Sequence, residues 1–300
     1  MREGSVVAIT GATGFVGAHV LEHARDAFVP IILSRSKKPI GLDTRQWSAS
    51  DPVDTMAGAL RGIDVVCHMA AYVPRDLQDP DEAERCLAIN TLGTLSLVRA
   101  CRQAGVRRLV HLSSGNILVR RERLVREDDS VSAVNPHAPY YLGSKALAEG
   151  FVRGHAGPDL EVMVLRPSAI YGPGMRENMI TIFAQRLARG EPVTVRDGGR
   201  YEADLVDVRD VARMVIAAAL SDRVGIVNVG SGVVTSVLDV AHALCRLTGA
   251  DPGLVHVEPE TDAPPTGFAA LDLERARDWF GFEPTALEDG LRHYLRSLTA

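Results

Sequence analysis

At 300 residues, with ordinary apolar (46%) and charged (24%) shares, the chain has room for one large α/β domain or a cofactor domain with a smaller companion, which excludes a fibrous or disordered class. The formal charge of -5 argues against a polyanion partner, so no nucleic acid is expected. Nor does any apolar run approach the ~20 residues of a bilayer span, and the opening residues lead straight into a strand with no space for a secretory leader. A cytoplasmic protein without membrane contact is expected.

In chain order, residues 6–10 make a continuous apolar strand, and residues 15–27 carry Val16, Val20 and Ala24 at helical spacing. Residues 30–33 are the second strand, a third lies around Trp47, and residues 64–69 form the fourth. A long helix is predicted over 83–104, with Leu87, Thr91, Leu95 and Val98 on one face and Gly105 as its stop. Residues 109–112 give another strand, 140–151 a helix and 162–165 a further strand. Apolar strands alternating with helices predict a parallel sheet covered on both faces, hence a doubly wound α/β (Rossmann) fold. Cys67, Cys86, Cys101 and Cys245 are scattered, as core thiols are, and form no C-x-x-C pair.

Beyond residue 170 the pattern loosens, with Gly and Pro at 172–174, 190–192, 198–199 and 264–267. Residues 212–220 and 226–229 return to the sheet, and 276–280 and 287–298 read as closing helices. The expected organisation is a dinucleotide-binding domain over 1–170, with return segments near 204–232. A discontinuous substrate-binding lobe takes 171–203 and 233–300.

Three groups of residues carry chemistry. The first is Thr10-Gly11-Ala12-Thr13-Gly14-Phe15-Val16-Gly17, at the first strand–helix junction. Gly11 suits the sharp turn, Gly14 a close approach of a pyrophosphate and Gly17 close helix packing, with the helix N-terminus facing the phosphates. The second is Ser34-Arg35-Ser36-Lys37-Lys38 after the second strand. A carboxylate there would suit an adenosine ribose; cations suit a 2′-phosphate, with Arg35 as the bidentate candidate. NADP(H) is therefore expected ahead of NAD(H). The third is Tyr141 and Lys145, four apart on one helix face, with Ser113 and Ser114 ending a strand that points at the ligand crevice. The Lys145 charge would bring the Tyr141 phenol toward working pH as a proton donor, and Ser114 would bond the substrate oxygen, unless the serines only cap the turn. The nine dispersed histidines suggest no metal site.

With these pieces in order, nearly the whole chain resembles the extended short-chain dehydrogenase/reductase superfamily, in its NAD-dependent epimerase/dehydratase branch. The resemblance rests on the glycine motif, on Asp51-Pro52-Val53-Asp54, on residues 64–71 and on Asn90-Thr91-Leu92-Gly93-Thr94. It is extended by the Y-x-x-x-K pair and by the stretch from Arg166 and Pro167 to Gly174. It implies that Gly11, Thr13, Gly14, Phe15, Val16, Gly17, Ser34, Arg35, Asp51, Ala70, Ala71, Tyr141, Lys145, Pro167 and Ile170 hold the cofactor. Ser114, Tyr141 and Lys145 would be catalytic, and Asn116, Asn178 and Arg200 would meet substrate. Relatives pair through the helices near 83–104 and 140–155, so a homodimer is expected.

The resemblance leaves the reaction open. Dehydratases follow the catalytic hydroxyl with Asp-Glu; here Gly115-Asn116 follows Ser114, which speaks against dehydration. Nucleotide-sugar enzymes carry Arg before the Asp matching Asp204, whereas this chain has Ala203, with Arg200, Arg196 or Arg176 as substitutes. The leading expectation is an NADPH-dependent ketoreductase acting on a nucleotide-linked ketosugar. The alternatives are an NAD-dependent nucleotide-sugar 4-epimerase, a dihydroflavonol- or steroid-type reductase of a phosphate-free substrate and, remotely, a non-catalytic NADP sensor.

Overall fold

The computed structural model describes residues 5–24, 27–35, 42–119, 123–262 and 267–298. Five buried or nearly buried residues form β1 (Val6–Thr10), and the glycine turn leads into α1 (Phe15–His23). The chain then runs through β2 (Val29–Ser34), β3 (Thr44–Gln46), α2 (Val53–Ala59) and β4 (Val65–His68). Next come α3 (Ala83–Cys86), a π-helical stretch (Leu87–Leu92), α4 (Gly93–Ala104), β5 (Arg108–Leu112), α5 (Pro139–Gly154) and β6 (Glu161–Pro167). The remainder comprises β7 (Ala169–Tyr171), α6 (Met179–Ala188), β8 (Val193–Val195), β9 (Glu202–Asp207), α7 (Val208–Leu220), β10 (Gly225–Val229) and β11 (Val234–Ser236). It ends with α8 (Val237–Thr248), β12 (Val255–Val257), α9 (Glu274–Phe280) and α10 (Leu287–Ser297).

The main sheet has seven parallel strands in the order β10-β6-β5-β4-β1-β2-β3. The doubly wound fold is thus as expected, and its strands are apolar on both faces for the expected reason. Val7, Ile9, Cys67, Val110 and Met163 face α1 and α7, while Ala8, Val66, Leu109 and Val164 face α2, α4 and α5. The chain runs outward from β1 to β3 and returns at β4 on the other side of β1. That reversal is the switch point where an open α/β sheet binds ligands beyond its strand ends.

A second, smaller body packs α6, α8 and α10 around β8, through Ile180, Phe183, Val195, Leu244, Leu291 and Tyr294. Short sheets β11-β9-β7 and β12-β8 join it to the rest. Among the described residues, no helix is long and apolar enough to cross a membrane.

Several elements differ from the sequence reading. Helix α1 stops at His23, four residues short of the expected end, and β3 lies just before Trp47 rather than on it. The helix over 83–104 is interrupted: its π-helical turn holds an extra residue, which rotates the face that even spacing predicts. Leu87, placed inward by that spacing, is 42% exposed, while Thr91 and Val98 of the same face are buried as expected and Asn90 is buried beside them.

Asp204 on β9 is the junction between the bodies. Its buried carboxylate accepts from Ser168 Oγ at 3.1 Å, Ser231 N at 2.7 Å and Oγ at 2.8 Å, Gly232 N at 3.1 Å and Leu271 N at 3.0 Å. Replacing it strands several buried donors at once. Asp204→Ala is expected to cost about 3 kcal/mol and lower the melting temperature by roughly 6 °C; an unchanged thermal transition would contradict this role.

Candidate active site

The crevice begins where β1 and β4 end. Gly11 has φ 72°, open to glycine without strain, and a Cβ there would lie 2.7 Å from Ala70 N. Gly14 N–H closes the turn onto Gly11 O at 2.9 Å. A Cβ on Gly17 would sit 2.1 Å from Gly11 O, so the third glycine lets α1 press on the turn itself rather than on a strand. No side chain caps α1 and no acidic residue stands in its first turn, which leaves the helix end open to an anion. Thr13, Phe15 and Val16 line this turn, partly buried Ala70 and exposed Ala71 follow β4, and Asp51 precedes α2. One Asp51 carboxylate oxygen accepts from Ser48 N at 2.7 Å.

At the end of β2, Ser34 is half-buried and Arg35 exposed; Lys37 and Lys38 lie outside the described residues. The cradle that side chains would fill, the uncapped helix end and the cation after β2 together fit a nicotinamide dinucleotide.

Helix α5 carries the reactive groups, starting from Pro139 at its first turn. Tyr141, Lys145 and Glu149 recur every four residues and so share one face. Lys145 Nζ donates to Leu112 O at 2.5 Å, and Ser113 Oγ donates to Glu149 Oε2 at 2.7 Å. Glu149 in turn accepts from Arg166 Nε at 3.0 Å and Nη2 at 2.5 Å. This stripe therefore locks α5 against the ends of β5 and β6, and the lock holds Tyr141 beside the crevice. Behind it, Asn90 Nδ2 donates to Ser144 Oγ at 3.0 Å and Thr91 Oγ1 to Ser144 O at 2.9 Å, contacts made possible by the π-helical turn. Ser114 caps the short turn that follows, accepting from Asn116 N at 3.2 Å, a bond that leaves its proton available.

Burial pushes the Tyr141 phenol up to about 12, with Cys86 adding to the rise. Burial draws the Lys145 ammonium down to about 8, opposed by Glu149. The expected lowering of the phenol by Lys145 is thus not seen in this arrangement, where burial raises the phenol and the ammonium is held by Leu112 O. Tyr141 is a protonated donor at neutral pH, and Lys145 is charged below about 8.

Of the expected substrate residues, Asn178 is occupied as the N-cap of α6, accepting from Thr181 N at 3.2 Å. Arg200 is tied to Asp197 at 2.8 Å and to Thr261 O at 2.8 Å. The carbonyl of Asn116 accepts from Asn135 Nδ2 at 3.3 Å. Pro167 is buried at the end of β6, and Ile170 is partly buried on β7. Glu149 joins the site as a residue the motifs do not include, although its position one turn beyond Lys145 is a legible signal.

A model of the NAD dependent epimerase/dehydratase family matches residues 7–230. The chain belongs to that family. It is an enzyme of the NAD-dependent short-chain dehydrogenase/reductase type. It is 28% identical to UDP-glucose 4-epimerase of Mycolicibacterium smegmatis, over 94% of this chain and 95% of that protein. A solved structure of MoeE5 in complex with UDP-glucose and NAD superimposes with TM-score 0.82 at 29% identity, covering 99% of both chains. The sterol demethylase protein B of Methylococcus capsulatus is 30% identical over 70% of this chain and 64% of its own length. These likenesses support the nucleotide-sugar epimerase alternative better than the NADPH ketoreductase expectation.

Removing the phenol oxygen should remove the proton donor without disturbing the dinucleotide cradle. Tyr141→Phe is expected to lose about 10³-fold or more in kcat while cofactor affinity, measured by nicotinamide fluorescence, stays within twofold. Near-normal turnover in that variant would sink the assignment. Because the Lys145 charge is lost as pH rises through about 8, kcat/KM of the wild type should decline above that pH. A flat profile across this range would contradict a supporting role for the ammonium.

Proposed function

We propose that the chain catalyses reversible hydride transfer at a secondary alcohol of a nucleotide sugar, in the manner of a 4-epimerase. The observation that carries this reading is the Tyr141–Lys145–Glu149 stripe locked beside Ser114 at the end of β5, in a chain similar along nearly its whole length to a UDP-glucose 4-epimerase and to a protein that binds UDP-glucose and NAD.

The residues divide the work as follows. The open N-terminus of α1 and the Gly11–Gly17 turn would hold the pyrophosphate of the dinucleotide, which would supply a nicotinamide able to take up and return hydride. Ser114 hydrogen-bonds the substrate oxygen. Tyr141, entering as its phenolate, would accept the hydroxyl proton as the carbon–hydrogen bond is lost, stand as the neutral phenol beside the carbonyl, and give the proton back on return of hydride to either face. Lys145 would stabilise the phenolate that begins and ends the exchange, working against the burial that otherwise keeps the phenol protonated.

A second reading has specific observations behind it: an NADPH-dependent reductase of a phosphate-free carbonyl compound. Ala203 stands buried where an arginine would meet a diphosphate, and Arg200 is engaged by Asp197 and Thr261. Beside Tyr141, half-buried Phe268 makes edge contacts with His137 at 5.5 Å and Tyr201 at 6.4 Å, an aromatic wall suited to an apolar substrate. Arg35 fits NADPH, and the sterol demethylase relative fits the substrate class.

The protein as purified should interconvert UDP-glucose and UDP-galactose, assayed by chromatography with and without added NAD. No interconversion, with NADPH-dependent reduction of apolar ketones instead, would replace the first reading by the second. Under the second reading Arg35 favours NADPH over NADH. Arg35→Glu should weaken NADPH binding about tenfold more than NADH binding, and equal effects on both would remove the 2′-phosphate role.

We also propose a homodimer. Leu87 and Leu92 on the π-helical turn and Leu147 and Phe151 on α5 are exposed, and the two helical segments pack together. A second copy would cover this apolar face. Sedimentation should give a dimer for the wild type and a monomer for Leu92→Glu/Phe151→Glu; a monomeric wild type would refute the pairing.

A further inference from the structure

The fourth strand ends on His68, a buried histidine that the hydride chemistry does not use. Its Nδ1 lies 2.7 Å from Thr10 Oγ1, at the last residue of β1, and its Nε2 lies 2.9 Å from Thr94 Oγ1 on α4. Three packed elements therefore meet on one imidazole.

The direction of each bond follows from counting protons. Ala70 N–H donates to Thr10 Oγ1 at 3.1 Å, and Met69 N–H donates to the same oxygen at 3.2 Å while also reaching Thr10 O at 3.3 Å. A hydroxyl has two acceptor positions and one proton. With both acceptor positions taken, the Thr10 proton goes to His68 Nδ1, which must be bare. His68 then carries its proton on Nε2 and donates it to Thr94 Oγ1.

Thr10 directly precedes Gly11, and a Cβ on Gly11 would lie within 3 Å of Met69 C, Ala70 N and Ala70 Cα. The phosphate turn and the Ala70–Ala71 wall are thus held at touching distance, and the hydroxyl that ties them is oriented by His68. We propose that His68 is a positioning residue for the dinucleotide site, a neutral Nε2–H imidazole that orients the Thr10 hydroxyl and so fixes the phosphate turn against the cofactor wall.

The surroundings agree with a neutral ring. Burial and the charge of Lys145 hold His68 down at about 3. Trp47 meets it edge-on at 6.2 Å, and the His111 ring lies 5.5 Å away. His111 offers an internal contrast, because it is equally buried but neither of its ring nitrogens has a hydrogen-bond partner. A merely space-filling role would make the two histidines equivalent.

Two measurements test this. Nitrogen-15 NMR of the histidine-labelled, cofactor-free protein near neutral pH should show His68 as the Nε2–H tautomer, assigned by the shift of its Nε2 signal in Thr94→Val. An imidazolium or an Nδ1–H tautomer would overturn the proposal on the unaltered protein. Titration with NADH and NADPH should then show Thr10→Val and His68→Leu weakened about tenfold, and His111→Leu unchanged. Unchanged affinity in Thr10→Val, or equal losses in the His68 and His111 variants, would reduce His68 to ordinary packing.

Discussion

The close approach of the Gly11 backbone to the Met69–Ala70 peptide is the constraint on which the rest of the site depends. It brings together the ends of the two strands that flank the switch point, and it tolerates no side chain at position 11. Because β1 and β4 are hydrogen-bonded neighbours, every residue that follows them is placed by sheet register rather than by loop preference. The phosphate turn follows β1, the cofactor wall follows β4, and Ser113 and Ser114 follow β5 in the next position across. Sites mounted on strand ends inherit the rigidity of the sheet.

A second anchor comes from the opposite direction. Helix α5 is tied down by a charge network that runs from Ser113 through Glu149 to Arg166, both ions almost wholly buried. Removing one partner of such a pair costs about 3–5 kcal/mol, since the other is left charged without compensation. The network therefore fixes the helix azimuth, and with it the position of Tyr141. The same burial sets the proton inventory: the phenol is kept protonated and the ammonium is kept weakly basic. Hydride chemistry needs such a donor and such a support side by side.

The cofactor half was legible because its signals are local. A glycine triplet after an apolar strand and a Tyr–Lys pair at helical spacing each depend on a few adjacent residues. The helix interruption at 87–92 was not legible, because a π-helical turn leaves no composition mark and is stabilised by distant partners, Tyr72 and Ser144. Helix α8 was missed although Ser236 and Asp239 form a capping box and Gly249 closes the helix, all of which are readable marks. The substrate side resisted for a different reason. The resemblance points to Asn178 and side-chain type to Arg200, but other bonds within the chain engage both, and spacing along the chain cannot reveal such competition. The network roles of Glu149 and His68 are likewise tertiary, since each is defined by partners tens of residues away.

Isotope transfer tests the hydride mechanism most directly. UDP-glucose deuterated at the sugar carbon that bears the reacting hydroxyl would be incubated with the protein in ordinary water, and the isolated UDP-galactose examined by mass spectrometry and NMR. Hydride transfer at the α5 site predicts that the deuterium stays on the same carbon in the epimerised product, because it leaves and returns without meeting solvent. Replacement of that deuterium by solvent hydrogen would show that the carbon exchanges a proton instead, and would contradict the mechanism.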